Sequence, residues 1–209
     1  MKIAVLGAGN VGGTLAAALA KSHDIVLGVR DPEASKYKDL AKRIGPGVRV
    51  DSIRKAAESA EAILLATPWS ATRSVLEQAA GALDGKILMD CTNPIGADFR
   101  LALGHTTSGG EMVAAWAKGA HVFKVFNTTG YNVMQDPIVD ERKALMLVCG
   151  DDPEHRLKVL QIAREVGFEA QDFGKLDNAR LLEPLALIWI RLAYQHGFGR
   201  EFAFGILRR

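Results

Sequence analysis

Short apolar runs alternate along this chain with longer stretches in which apolar residues recur at helical spacing. Residues 2–6, Lys-Ile-Ala-Val-Leu, form a compact apolar run closed by glycines, the pattern of a strand buried on both faces. The Ala- and Leu-rich stretch over 10–21 predicts the helix that follows. The same pattern gives strands over 24–29, 48–50, 62–66, 86–89, 121–126, 144–149 and 168–172. Helices are expected between them. Asp31-Pro32 and Asp152-Pro153 each read as an N-cap followed by a first helical proline, and the second of these helices should run to about Val166. Asp51 or Ser52 caps a short helix, and another covers 70–80. Ser108-Gly-Gly-Glu111 reads as a capping box opening a helix to Lys118, and a mostly apolar helix covers 178–196. Residues 93–110 show little periodicity and predict a long loop, a kind of segment often functional.

Alternation of strand and helix implies an α/β fold. The expected form is a Rossmann-type, doubly wound, mainly parallel sheet with a short C-terminal helical extension. The expected division is a dinucleotide-binding domain over 1–175 and a helical segment over 176–209 within the same compact unit. No repeat or low-complexity segment interrupts it.

Composition narrows the functional classes. The 209 residues are 48% hydrophobic and 24% charged, enough apolar content for a large core. A formal net charge of +2 gives no broad field for nucleic acid or a membrane surface. The apolar run at 3–6 is too short for a leader peptide. The run at 181–193 is broken by Pro184 and Arg191, which predicts a buried helix rather than a bilayer span. Cys91 and Cys149 end apolar runs, as reduced, buried thiols of a cytoplasmic protein do.

Gly7-Ala8-Gly9-Asn10-Val11-Gly12 fits G-x-G-x-x-G in the required place, after a buried strand and at the start of a helix. Gly7 permits the tight turn, Gly9 lets the backbone approach a pyrophosphate, and Gly12 lets helix and strand pack closely. The helix N-terminus adds free N–H groups and partial positive charge. NAD-specific versions carry an acid near the end of the second strand. Here Val29 stands about there and Arg30 follows, which favours the 2′-phosphate of NADP. Lys36 or Lys38 could add charge, and Asp31 could serve a ribose hydroxyl or cap a helix. Thr67-Pro68-Trp69, Cys91-Thr92-Asn93-Pro94 and Phe126-Asn127-Thr128-Thr129-Gly130 follow the fourth, fifth and sixth strands. Ligands of open α/β sheets bind at such carboxyl ends.

With these motifs in place, the chain resembles the NADP oxidoreductases dependent on coenzyme F420, a deazaflavin, and the wider set of dinucleotide-binding enzymes around them. The similarity is carried by residues 7–12, 28–30 and 67–69, by Cys149-Gly-Asp-Asp152, and by the tail from Asn178-Ala-Arg-Leu181 through Glu183 to Gly197-Phe-Gly199. Over Asp90-Cys-Thr-Asn-Pro94 and Lys124-Val-Phe-Asn127 it is also similar to the oxidoreductase domain of six-transmembrane metalloreductases. The resemblance implies hydride transfer between NADPH and a second redox carrier such as F420 or a flavin. It implies that Gly7, Gly9, Asn10, Val11 and Gly12 hold pyrophosphate and that Arg30 holds the 2′-phosphate. It further implies that Pro68 and Trp69 line the groove and that Asn127 lies at the nicotinamide end. Lys36, Thr67 and Asn93 complete the expected cofactor set. Two departures stand out. Val29 replaces the family serine, and Phe126 and Thr129 stand near the histidine and proline of the deazaflavin-specific members.

Acid/base chemistry is scarce. The histidines at 23, 105, 121, 155 and 196 show no pairing with acids or cysteines at metal-ligand spacing, and no Gly-x-Ser-x-Gly elbow occurs. His105 lies in the long loop, where it could meet substrate, and Lys124 falls inside the sixth strand. No catalytic side chain and no metal are therefore expected. Hydride transfer between two bound carriers needs alignment more than a protein nucleophile. The alternatives are a reductase of another small acceptor, using the loop over 93–110, and a non-catalytic NADP-binding protein. Finally, Leu181, Leu185, Ile188 and Leu192 share one helical face, and Leu182, Trp189 and Ala193 share its neighbour. A helix so apolar needs cover, which predicts a two-fold homodimer with this helix central.

Overall fold

The computed structural model describes residues 1–96 and 98–209; Ala97, inside the loop expected over 93–110, lies outside the described residues. Strand β1 (Lys2–Leu6) sits mid-sheet between β2 (Asp24–Val29) and β4 (Ala62–Leu65), with β3 (Arg49–Ser52) beyond β2. On the other side follow β5 (Ile87–Asp90) and β6 (His121–Lys124). These six strands are parallel, in the doubly wound order β3-β2-β1-β4-β5-β6. A short hairpin, β7 (Ile138–Val139) with β8 (Arg142–Lys143), lies apart from the sheet. The sheet ends in β9 (Leu145–Gly150), antiparallel to β6, and β10 (Glu169–Asp172), parallel to β9.

Alternation along the strands divides the core in two. Ile3 and Val5 of β1 join one cluster with Leu15 and Leu19 of α1 (Asn10–Leu19) and Val159 and Ala163 of α7 (Pro153–Val166). Ala4 and Leu6 join the other, with Ile53 and Ala56 of α3 (Ile53–Ser59), Leu76 of α4 (Trp69–Gln78) and Val113 of α5 (Gly109–Trp116). Each such fully buried Val, Ile or Leu contributes about 1.5–3 kcal/mol. The sheet is therefore covered on both faces, which is why its strands read as continuous apolar runs.

Three of the predicted caps form. Ser52 Oγ accepts from the Lys55 N–H at 3.4 Å, Ser108 Oγ from Glu111 at 3.1 Å and Asp152 Oδ1 from His155 at 3.0 Å. The Asp31-Pro32 cap does not form. Asp31 Oδ1 accepts instead from the Glu33 N–H at 3.1 Å, and α2 (Ser35–Ile44) starts with Ala34 at its N-cap. An aspartate can close such a local turn in place of a helix cap. The sequence pattern also missed α6 (Tyr131–Gln135) and the β7–β8 hairpin. The hairpin turns through Asp140 and Glu141, both left-handed (φ 50° and 60°), without the Asn-Gly that marks such turns.

The last helix, α8 (Ala179–Gln195), buries Leu182, Ala186, Trp189 and Ala193 at spacings of four, three and four. The tail after Gly199 supplies part of this cover from within the subunit. Trp189 Nε1 donates to the Phe202 carbonyl at 2.9 Å, the two rings stack at 5.2 Å, and Phe204 accepts from the Leu145 N–H. The face bearing Leu181 (59% exposed) and Ile188 (51%) stays uncovered within the subunit. Among the described residues no helix is long and apolar enough to cross a membrane.

Candidate functional site

Winding reverses between β1 and β4, so the loops after these strands open a crevice at the carboxyl edge of the sheet. Gly7 turns there with φ +102°, its Cα so close to the Ala66 carbonyl that a Cβ would lie 2.5 Å from that oxygen. A Cβ on Gly12 would lie 1.8 Å from the Gly7 carbonyl, so only glycine lets α1 start this close to the strand. A Cβ on Gly9 would meet nothing within 4 Å. That side of the loop is open, as an approach path for a ligand requires. No acidic residue lies in the first turn of α1, whose free N–H groups would attract an anion.

Beside the loop lies a cleft of about 690 Å3 lined by Gly9, Asn10, Thr14, Lys36, Tyr37 and Arg43, among others. Lys36 therefore joins the glycine loop, its ammonium 4.7 Å from the centre of the Tyr37 ring. Lys38 pairs instead with Glu33 at 2.6 Å. Arg30, just after β2, is exposed and in no ion pair among the described residues, though it is not part of that cleft lining. The Val29 side chain is buried in the core, so no acid faces a ribose from that position.

Along the same edge, Thr67 Oγ1 lies 2.9 Å from Thr72 Oγ1, which pins the turn into α4, and exposed Pro68 serves as its N-cap. Trp69 follows, its ring tilted against Trp116 at 5.4 Å. Asn93 and Asn127 meet directly. The Asn93 amide donates to the Asn127 carbonyl at 2.8 Å, and the Asn127 amide donates to Asn93 Oδ1 at 3.0 Å and to the Leu182 carbonyl at 3.2 Å. Asn127 Oδ1, Thr92 Oγ1 and Thr129 Oγ1 are sealed from solvent with no partner among the described residues. Three unsatisfied polar atoms in the loops after β5 and β6 fit a site that completes its hydrogen bonds on a polar ligand. Phe126 reaches Asn127 through a left-handed backbone (φ 59°) although its ring is fully buried. Such strain in a bulky residue, about 1–3 kcal/mol, collects at functional sites.

Lys124 lies beneath these loops and is wholly buried. Its ammonium sits 2.6 Å from Asp90 Oδ2, 2.8 Å from Glu183 Oε1 and 2.8 Å from the Thr92 carbonyl. Burial acts to lower its pKa, but Asp90 and Glu183 together raise it above the ordinary lysine value. Ion-paired with two carboxylates and donating to one carbonyl, Lys124 is a structural cation. Glu183 also accepts from the Gly109 and Gly110 N–H groups at 2.8 and 2.9 Å, tying α8 to the start of α5. The pattern of apolar runs gives no sign of Glu183, because a lone acid in an apolar helix shows its role only when its partners are known.

Elsewhere, His105 is exposed in the long loop. Cys91 and Cys149 are buried free thiols; burial pushes Cys149 up to about 12 and Cys91 well above its usual range. His23 bonds Glu165 at 2.6 Å. His121 and His155, which show no metal-ligand spacing in the sequence, meet an acid in the fold. They converge on Asp152 because β9 returns antiparallel to β6, bringing residues 31 positions apart in sequence side by side.

Comparison with known proteins follows the same lines. Residues 2–94 match the family described as NADP oxidoreductase, coenzyme F420-dependent. The F420-dependent NADP reductase of Methanocaldococcus jannaschii is 30% identical over 213 residues, covering 93% of this chain and 94% of that protein. Metalloreductase STEAP3 of Rattus norvegicus is 31% identical over 192 residues, 89% of this chain but 36% of its own length. A solved structure from Arthrobacter sp. FB24, described as a candidate F420-dependent NADP-reductase, superposes with a TM-score of 0.91 at 32% identity over the whole of both chains. With its doubly wound sheet, its glycine loop and similarity that runs almost end to end, the chain belongs to the F420-dependent NADP oxidoreductase family of oxidoreductases.

Proposed function

We propose that this protein transfers a hydride between NADPH, held at the glycine loop, and coenzyme F420 docked beside the loops after β5 and β6. The observation that carries the reading is the open side of Gly9 facing a cleft that also holds Lys36, with no acid at the end of β2. Backbone N–H groups of Asn10, Val11 and Gly12 would hold the pyrophosphate, and Arg30 with Lys36 the 2′-phosphate. Thr67, Pro68 and Trp69 would flank the groove, and Asn93 with Asn127 would offer amide groups to the nicotinamide end. The bound nicotinamide supplies the hydride. The residues around it bind, orient and exclude water, and Lys124, Asp90 and Glu183 spend their charges on one another. This suits a reaction whose barrier falls chiefly through alignment of two carriers.

The relatives named F420-dependent NADP reductase favour F420 over a flavin. The test is absorbance at the NADPH band after mixing with F420, with FMN and with no acceptor. Rapid NADPH loss with F420 alone is expected. NADPH that binds but reacts with neither acceptor would refute the reading.

The exposed stripe of Leu181 and Ile188, continued by half-buried Leu185 and Leu192, supports a two-fold homodimer formed through α8. The buried free thiols agree with a reducing, cytoplasmic setting.

A further inference from the structure

At the opposite edge of the sheet, far from the glycine loop in sequence and on the amino end of β6, three potential metal ligands gather. Lys124 faces Cys149 and Phe123 faces Gly150, and continuing this antiparallel register brings His121 opposite Asp152, the N-cap of α7. One helical turn on, His155 returns to the same point. Asp152 Oδ1 accepts the His155 backbone N–H, which fixes the carboxylate and leaves Oδ2 facing both imidazoles. Oδ2 lies 3.0 Å from His121 Nδ1 and 2.9 Å from His155 Nδ1. The two rings stack at 4.4 Å with an interplanar angle of 26°, so both Nδ1 atoms face the same side. All three ligand atoms lie within 4.8 Å of one another.

The contacts within this group are poor as hydrogen bonds. His155 Nδ1 is sealed from solvent yet has no hydrogen-bond partner among the described residues, although Asp152 Oδ2 is 2.9 Å away. The spacing is better explained by convergence on a shared point. Ligands about 2.1 Å from one ion lie roughly 2.9–3.4 Å apart, which matches both nitrogen-to-oxygen distances. A cavity of about 600 Å3 opens beside the group, lined by His121, Asp151, Asp152 and Glu154 among others. It gives room for water ligands, and the nearby acids favour a cation.

We propose that His121, Asp152 and His155 bind one borderline divalent first-row metal ion, of the Zn2+ class, which clamps the start of β6 to the start of α7. Two imidazoles and one carboxylate suit such an ion better than Ca2+ or Mg2+, which prefer oxygen. The remaining positions face the cavity and take water. The ion stands apart from the hydride-transfer cleft and takes no part in that reaction.

The test uses untagged, chelator-stripped protein titrated with Zn2+ against a chromophoric chelator, and with Co2+ for its visible absorption. One equivalent per chain is expected. His121→Ala should weaken Zn2+ binding by about a hundredfold, and His121→Ala with His155→Ala should abolish it. NADPH binding should remain in both variants, which shows that they are folded and separates this site from the cofactor cleft. If the first variant does not fold, His155→Gln on the surface of α7 carries the same expectation. Failure of wild-type protein to bind Zn2+ stoichiometrically at roughly 100 µM would overturn the proposal. So would equal binding by the folded histidine variants.

Discussion

Replacing Lys124 with methionine is the most searching test of how the cleft is held together. The side-chain length stays close, but the cation that reaches Asp90 and Glu183 at 2.6 and 2.8 Å is lost, in a place where all three side chains are at most 1% exposed. Removing one partner of a buried ion pair costs about 3–5 kcal/mol, because the remaining charge is stranded. Here two carboxylates are stranded, and the Thr92 carbonyl loses its donor. Each keeps backbone donors, Asp90 from Thr92 and Glu183 from Gly109 and Gly110, which holds the cost within that range. In a domain of this size 1 kcal/mol moves the melting temperature by about 2–4 °C, so a drop of roughly 6–20 °C is expected. Circular-dichroism melts and urea titrations at pH 8 read the loss directly. Glu183→Gln added to Lys124→Met should recover part of it, because one stranded charge is removed. A single variant within about 1 kcal/mol of wild type would show that this cluster does not anchor the loops.

Arg30→Ala should weaken NADPH binding by about 1.5–3 kcal/mol and leave NADH nearly unchanged; equal losses in titration calorimetry would show that Arg30 does not read the 2′-phosphate. Gly9→Val should remove binding of either cofactor while the far-ultraviolet spectrum stays native, since the open space beside Gly9 admits the side chain but not a phosphate as well. Normal NADPH affinity in that variant would place the cofactor elsewhere. Leu181→Asp with Ile188→Asp should turn a dimer into a folded monomer by light scattering, because both residues are exposed in the single subunit. Trp189 is unsuitable for that purpose, as its ring packs against Gly130 and Phe202 of its own chain.

The doubly wound fold and the glycine loop were legible in the sequence because both depend on local rules. A strand covered on both faces must be apolar at every position, so β1, β2 and β4 stand out, and strand boundaries fall within a few residues of those expected. Caps at Ser52, Ser108 and Asp152 likewise depend on residues three positions apart. Gly12 was legible for the same reason, since it packs on the Gly7 carbonyl of its own turn, whereas Gly7 also approaches the distant Ala66 carbonyl.

What tertiary structure decided involves partners distant in the chain. The antiparallel return of β9 has no local signature, yet it sets His121 beside Asp152. Glu183 and Lys124 read as isolated charges until α5, β5, β6 and α8 enclose them together. Lys36 joins the glycine loop only because α2 lies beside α1, whereas Lys38 pairs locally with Glu33. The apolar pattern of α8 required cover but did not say which face the chain's own tail would take. That was fixed by the fit of Trp189 over Gly130, where any larger side chain would collide with the indole. Sequence thus determined which segments must be buried or bent. Only packing in three dimensions decided which charges meet, because the low-dielectric interior admits a charge only beside partners that the chain brings from far away.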